Sequence, residues 1–237
     1  LAISCQLGAS GFTDPELYDS MKLCVGCKGC KRECPTGVDM AKMKVEFLHH
    51  YHQSHNRSFR DHLLSSLPKY APVLSRFSPI VNTVGSSLLG RTFADKILGL
   101  SAKRSLPIWH RASRQKQDVC VGSGDLGDVV LFADTFNRYF EPDNLSAAIE
   151  VLTAAGFKVH QPVAADGEAR PLCCGRTYLS TGMVDKARAE ANRTIKAFKP
   201  YLQKKIPILG LEPSCLFSFK DEFLSLIDDD VAPVLAK

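Results

Sequence analysis

Between Cys24 and Pro35 the chain reads Cys-Val-Gly-Cys-Lys-Gly-Cys-Lys-Arg-Glu-Cys-Pro. Two residues separate Cys24 from Cys27 and Cys27 from Cys30, three separate Cys30 from Cys34, and a proline follows. No other stretch limits the fold as tightly, because thiolates at this spacing act together. The backbone between them must curl so that the sulfurs converge. C-x2-C-x2-C-x3-C-P is the run that holds a [4Fe–4S] cluster. Gly26 and Gly29 fill the two-residue gaps, where a missing Cβ allows tight curvature and close approach of backbone N–H groups. Pro35 fixes the exit of the chain. Zinc ribbons instead use C-x2-C pairs set well apart, and a disulfide framework needs an oxidising compartment.

In two-cluster ferredoxins the fourth cysteine of such a run ligates the other cluster. On that rule Cys24, Cys27 and Cys30 hold one cluster and Cys34 serves a second, whose own run is expected upstream in a longer parent. The first residue, Leu1 rather than Met, inside a helical pattern, agrees with that expectation. Two alternatives stay open: Cys34 closes a single cluster locally, or Cys5 reaches in.

A length of 237 residues allows one large domain or two small ones. Apolar content of 45% and charged content of 23% are those of a soluble globular protein. Nine cysteines is many for this length. Their clustering, without a signal peptide, points to metal and to a reducing, cytoplasmic location. No apolar run reaches the roughly 18 residues of a membrane span. The net charge of +5 is uneven, since residues 41–117 hold thirteen Lys/Arg against three Asp/Glu. Such a basic middle suits anionic lipid or an acidic protein partner. No nucleic acid is expected, because no recognised binding motif accompanies the charge.

In chain order, Gly8–Gly11 reads as a turn and Thr13-Asp14-Pro15-Glu16 as a capped helix start. That helix runs to about Lys22 and delivers the chain to Cys24. A second helix is expected from Val38 to about His55, with Met40, Met43, Phe47 and His50 on one stripe. His49, His50, His52, His55 and His62 are read as surface or core residues rather than ligands. From 56 to 117, Pro68, Pro72, Pro79 and Pro107 chop short amphipathic helices. There Leu88, Leu89, Phe93, Ile97 and Leu100 form an apolar stripe, which can pack on its own protein or lie on a membrane surface. Arg111–Asp118 reads as a linker.

Gly122-Ser-Gly124-Asp-Leu-Gly127 spells G-x-G-x-x-G but precedes a strand rather than opening a helix, so no nucleotide site is expected. From Val129 strands and helices alternate: strands at Val129–Ala133, Phe157–His160 and Ile206–Leu211, helices at 142–155, 184–201 and 214–227. This βαβ pattern favours a parallel sheet. Asp134-Thr135-Phe136, Cys173-Cys174-Gly175 and Cys215 would then emerge at the carboxyl edge of one sheet, where open α/β folds bind ligands. Cys215 would open a helix, whose N–H groups favour thiolate. Three converging thiols suggest a second metal site or a redox thiol site.

The combination resembles the iron–sulfur oxidoreductases with CCG domains, which include the iron–sulfur subunit of glycolate oxidase and the CCG-bearing subunit of heterodisulfide reductase. The residues that carry it are Leu23–Met40, Leu172-Cys-Cys-Gly-Arg176 and Leu211-Glu-Pro-Ser-Cys215. It is nearest to the iron–sulfur half of proteins that fuse these modules to an FAD-linked dehydrogenase of 2-hydroxy acids such as D-lactate or D-2-hydroxyglutarate. The resemblance implies an α plus α/β fold. A helical ferredoxin-like [4Fe–4S] module would occupy residues 1–60, a basic helical connector 61–117, and a partial parallel α/β CCG domain 118–237. It implies a cluster at Cys24, Cys27, Cys30 and Cys34, and a second site at Cys173, Cys174 and Cys215. It also implies FAD only in the parent or a partner flavoprotein. Electrons would pass to a quinone, cytochrome or other acceptor, with peripheral contact at the inner face of a membrane. The chain departs from the family pattern at Thr135 and Asn137, in the region of an upstream cysteine, and at Ser218, where a C-x-x-C would end. Two other readings stand beside this one: part of a heterodisulfide or thiol reductase, and a scaffold with a structural metal.

Overall fold

The computed structural model describes residues 11–112, 118–168, 170–228 and 232–236. Cys5, most of the Gly8–Gly11 turn and most of the 111–118 linker lie outside the described residues. The chain divides into two compact units, one of residues 1–65 and 177–187, the other of 66–176 and 188–237.

The first unit is helical. A short 3-10 turn at Gly11–Thr13 leads into α1, Pro15–Lys22. The Asp14 carboxylate accepts hydrogen bonds from the N–H groups of Glu16 and Leu17, which fixes where α1 starts. The cysteine run contains one further helical turn, α2, Gly29–Glu33. Then come α3, Met40–Ser54, capped by the Asp39 side chain on the N–H of Lys42, and α4, Phe59–Ser65. The core of this unit is Phe47, Leu48 and Tyr51 with Phe12, Leu17, Tyr18 and Met21 packed on it. The buried face of α3 is thus Phe47-Leu48-Tyr51, while Met43 of the expected stripe points outward. The histidines take part in ring packing: His55 stacks on Tyr51 at 4.1 Å, and Phe12 lies 5.2 Å from His50. Burial foremost holds His52 below the usual imidazole range.

The second unit starts with α5, Leu67–Arg76, α6, Ser78–Ser86, and α7, Leu88–Leu98. Asn82 ties the segment beyond α7 back to α6, donating to the Trp109 carbonyl and accepting from its N–H, both at 2.8 Å. Strands β1, Val119–Val121, and β2, Gly127–Phe132, follow, then α8, Thr135–Tyr139, α9, Pro142–Ala154, and β3, Phe157–Gln161. Then come α10, Arg176–Leu179, whose last three residues count with the first unit, as do the first four of the long α11, Val184–Gln203; β4, Ile208–Gly210, and α12, Pro213–Phe217, follow in the second. A π-helical turn, Ser218–Glu222, joins α12 to α13, Phe223–Leu226, and α14 is Ala232–Leu235.

The sheet order is β1-β3-β2-β4. β2 runs parallel to both β3 and β4, as the βαβ pattern predicts. The sheet is mixed rather than wholly parallel, because β1 pairs antiparallel with β3, Cys120 opposite His160. β1 lies exposed at the sheet edge and lacks the buried apolar run that announces its neighbours. The glycine-rich turn therefore joins two strands and opens no helix. Its first glycine is there for packing: Gly122 has φ +108°, and a Cβ on it would lie 2.1 Å from the Phe157 carbonyl oxygen.

Strand β2 is apolar on both faces because both are covered. Val129 and Leu131 pack with Val159 against Leu145, Ile149 and Leu152 of α9. On the opposite face Phe132 meets Phe198 and Phe219 edge-on at 5.9 and 5.0 Å, and Phe223 extends that aromatic cluster. Burial of these rings stabilises the unit at roughly 25 cal/mol per Å² of apolar surface removed from water.

Candidate functional site

In the cysteine run the backbone turns through two left-handed residues, Gly26 at φ 69° and Lys28 at φ 59°. Gly29 does not share this role, and a Cβ there would meet Cys27 Sγ at an ordinary 3.6 Å. The second tight bend is thus carried by a lysine, which sequence reading assigned to glycine. Around the sulfurs the loop presents donors. The Met40 N–H points at Cys30 Sγ, 3.4 Å away, and Thr36 Oγ1 lies 3.1 Å from Cys34 Sγ. The Thr36 hydroxyl foremost, with the N–H groups of Val38, Thr36 and Gly37, brings the Cys34 thiol down to about 7. Lys44 Nζ donates to the Cys24 carbonyl at 2.5 Å and pins the start of the run to α3. Lys31 faces the capping carboxylate of Asp39 at 3.7 Å. Cys24, Cys30 and Cys34 are half-buried and Cys27 is exposed. Four soft sulfur donors in one loop, with backbone and hydroxyl donors already directed at two of them, suit an iron–sulfur cluster chemically. Among the described residues, no three His, Cys, Asp or Glu side chains are gathered as a metal-holding set.

The other thiols lie in the second unit, at the carboxyl ends of its parallel strands. The loop after β3 brings Cys173 and Cys174, and the turn after β4 brings Cys215 to the third position of α12. Cys174 and Cys215, 41 residues apart, have their sulfurs 3.1 Å apart, and Cys173, Cys174 and Cys215 are all buried. Gly175, left-handed at φ 77°, turns its N–H onto Cys173 Sγ at 3.3 Å. That is the structural use of the glycine in Cys-Cys-Gly. The Cys173 thiol is pushed well up, first by its hydrogen bond to Cys174 and then by burial. For Cys174 a hydrogen bond from Cys173 acts downward, but its bond to Cys215 and its burial outweigh it, so this thiol too is held well above the ordinary range.

Sequence reading placed Asp134 at this edge but missed the hydrogen bonds and ion pairs that frame it. Asp134, 1% exposed, caps α8 by accepting from Phe136 N–H, Asn137 N–H and Asn137 Nδ2. Burial foremost pushes its carboxyl up against those bonds, and the Glu212 charge adds to the rise. Glu212 in turn caps α12 through the Ser214 N–H and hydroxyl. The loop before Cys173 is held by Arg193, whose guanidinium pairs with Asp166 and donates to the carbonyls of Pro171 and Arg170 at 2.7 and 2.8 Å. Arg170 pairs with the buried Glu190 at 2.7 Å. Ions at such depth are only retained when paired, but charged residues in a loop and on a helix give no sequence sign of being partners.

The chain thus combines a helical unit carrying a cysteine-rich loop with a mixed α/β unit carrying thiols at its strand ends. Comparison with known proteins puts its relatives among the dehydrogenases. The chain is 23% identical over 223 residues to D-2-hydroxyglutarate dehydrogenase of Escherichia coli, covering 88% of this chain and 21% of that protein. It is 27% identical over 231 residues to the enzyme of the same name from Pseudomonas putida, with the same coverage. It is also 28% identical over 177 residues to one of the subunits of anaerobic glycerol-3-phosphate dehydrogenase of E. coli, covering 73% of this chain and 43% of that relative. The chain thus spans about a fifth of the length of these D-2-hydroxyglutarate dehydrogenases. No protein-family profile and no solved structure matches it.

Proposed function

We propose that this chain is the iron–sulfur electron-transfer portion of an FAD-linked 2-hydroxy-acid dehydrogenase. Its organisation would be a ferredoxin-like module over 1–60, a basic connector over 61–117 and a CCG domain over 118–237. The observation that carries the reading is the Cys24–Cys34 loop: four thiols at cluster spacing, with the Met40 N–H on Cys30 and the Thr36 hydroxyl on Cys34. Dehydrogenase relatives along most of the chain support it. Cys24, Cys27 and Cys30 would ligate the cluster, with Cys34 closing it or serving a neighbouring one. A [4Fe–4S] cluster held there supplies a one-electron couple between a two-electron flavin and the next acceptor. The protein's part is positional and electrostatic. Left-handed Gly26 and Lys28 aim the sulfurs, Lys44 holds the start of the loop, and Lys28, Lys31 and Arg32 favour added negative charge, which raises the potential.

The flavin site is assigned to the parent chain or a partner flavoprotein, and the acceptor to a quinone, cytochrome or similar carrier. None of the helices in the described residues is long and apolar enough to cross a membrane. On α5–α7, Phe77, Ile80, Val84, Leu88, Leu89 and Phe93 are exposed in the most basic part of the sequence, and this favours peripheral contact with an anionic bilayer from the cytoplasmic side. Flotation with vesicles containing anionic lipid, lost in high salt, checks that contact.

The deciding measurement is iron and acid-labile sulfide after anaerobic reconstitution, with an electron paramagnetic resonance spectrum of the dithionite-reduced chain. About four irons per chain and a reduced-cubane signal, both lost in Cys27→Ser and Cys30→Ser, are expected. Bound zinc, or a metal that dithionite leaves unchanged, would overturn the reading.

A further inference from the structure

Cys174 and Cys215 meet at 3.1 Å in a site that lacks, among the described residues, the donors of a four-thiolate centre. The positions where the family resemblance would place further cysteines carry hydroxyls or an amide. Thr135 is buried, and its Oγ1 has no hydrogen-bond partner among the described residues. Asn137 is committed to Asp134, and Ser218 Oγ donates to the Ser214 carbonyl at 2.9 Å. Three sulfurs remain. Cys173 takes the Gly175 N–H and hydrogen-bonds its neighbour Cys174, while Cys174 also faces Cys215, and it is this second contact that joins two separate connections. The donor set therefore does not fit a second cluster of the kind that the resemblance implies. It fits a pair.

We propose that Cys174 and Cys215 form a reversible dithiol–disulfide couple that a hydroperoxide oxidises. A disulfide has its sulfurs about 2.05 Å apart, so roughly 1 Å of side-chain approach closes the bond. Both residues sit at the ends of parallel strands, Cys174 in the loop after β3 and Cys215 in the turn after β4, so closure cross-links two connections at the sheet edge. In the first step one of the two sulfurs, deprotonated, attacks the O–O bond of hydrogen peroxide. An S–O bond forms, the O–O bond breaks and water leaves. The second thiol then displaces the sulfenic hydroxyl as a second water while the S–S bond forms. Two thiols give up two electrons and two protons, and one peroxide accepts them. The thiols are only 4% exposed, which admits a small peroxide far more readily than a bulky disulfide. The couple does not depend on the electron-transfer reading of the Cys24–Cys34 loop.

The test uses the full chain, purified anaerobically and given one equivalent of hydrogen peroxide. Free thiols are alkylated in denaturant, and tryptic peptides are mapped without reduction. The expected product joins the peptide 159–176, which holds Cys173 and Cys174, to the peptide 206–220, which holds Cys215. Fragmentation should place the bond on Cys174. Dithiothreitol should reverse it, Cys173→Ser should retain it, and Cys174→Ala and Cys215→Ala should abolish it. Far-ultraviolet circular dichroism of each variant separates loss of the bond from loss of the fold, and the Cys173→Ser protein reads the pair without either alanine variant. Alkylated, unlinked Cys174 and Cys215, or a vicinal Cys173–Cys174 bond, would overturn the proposal. So would iron after reconstitution that survives Cys24→Ser/Cys27→Ser/Cys30→Ser and is lost in Cys174→Ala.

Discussion

The hydroxyl of Thr194, fully buried on α11, donates to the carbonyl oxygen of Cys173 at 2.9 Å. One side chain on a rigid helix thus sets the height at which the Cys-Cys-Gly turn crosses the strand ends. Thr194→Val keeps the shape and removes the donor, leaving a buried carbonyl without this partner. A loss of about 1–3 kcal/mol in urea unfolding is expected. Alkylation of Cys174 in the native protein should quicken as the turn loosens. A variant with unchanged stability and an unchanged alkylation rate would show that the turn is held from elsewhere.

Arg193 makes a larger prediction. It pairs with Asp166 and donates to two loop carbonyls while itself buried. Arg193→Met keeps the stem and deletes the charge, so it strands two carbonyls and frees the loop before Cys173. Asp166 itself is exposed, so the cost falls mainly on the two carbonyls that lose their donor, at about 1–3 kcal/mol each. The midpoint of denaturation should fall accordingly, and subtilisin, which cuts exposed loops with little sequence preference, should cut the native chain within 162–172 before it cuts elsewhere.

Legibility in the sequence followed the kind of force involved. Val129–Phe132 announced a doubly covered strand because burial on both faces writes a continuous apolar run. The Asp14 cap and the carboxyl-edge placement of Cys174 and Cys215 followed from local chemistry and from strand direction. Strand β1 escaped notice, since three exposed edge residues carry no periodic signal. Lys28 in the left-handed region was hidden too, because nothing in its identity marks the bend that the neighbouring glycines suggested. The Arg193–Asp166 and Arg170–Glu190 pairs were hidden as well, because tertiary partnership between charges leaves no trace in spacing.

Gly122 tests the meaning of the G-x-G-x-x-G spelling. Its φ of +108° and the 2.1 Å approach of a hypothetical Cβ to the Phe157 carbonyl make Gly122→Ala a backbone clash. The cost should be at least about 1–3 kcal/mol for the strained conformation alone, and about as much again for displacing β3. Thermal unfolding measures it. NAD and NADP should leave the melting temperature of this chain unchanged, as expected of a turn between strands. A dinucleotide-dependent rise that Gly122→Ala removes would restore the nucleotide reading.

Asp134 supplies the pH dependence. Burial raises its carboxyl above the usual value of 3.8, against the pull of its own cap bonds. An acid whose folded pKa is raised favours the native state most when protonated. Its contribution is fully present below the unfolded pKa, and is lost as pH rises through the folded one. Asp134→Asn stays neutral throughout and keeps an oxygen for the Phe136 and Asn137 N–H groups, although its amide must face that of Asn137. The stability difference between wild type and variant should therefore drift in the variant's favour from about pH 4 upward and level off above the folded pKa. Denaturation midpoints at a series of pH values from about 3.5 to 8 give that curve. A difference that stays flat across the range would mean that the three hydrogen bonds on Asp134 fully offset its burial, and that the strand end beside Cys174 and Cys215 carries an ordinary, ionised aspartate.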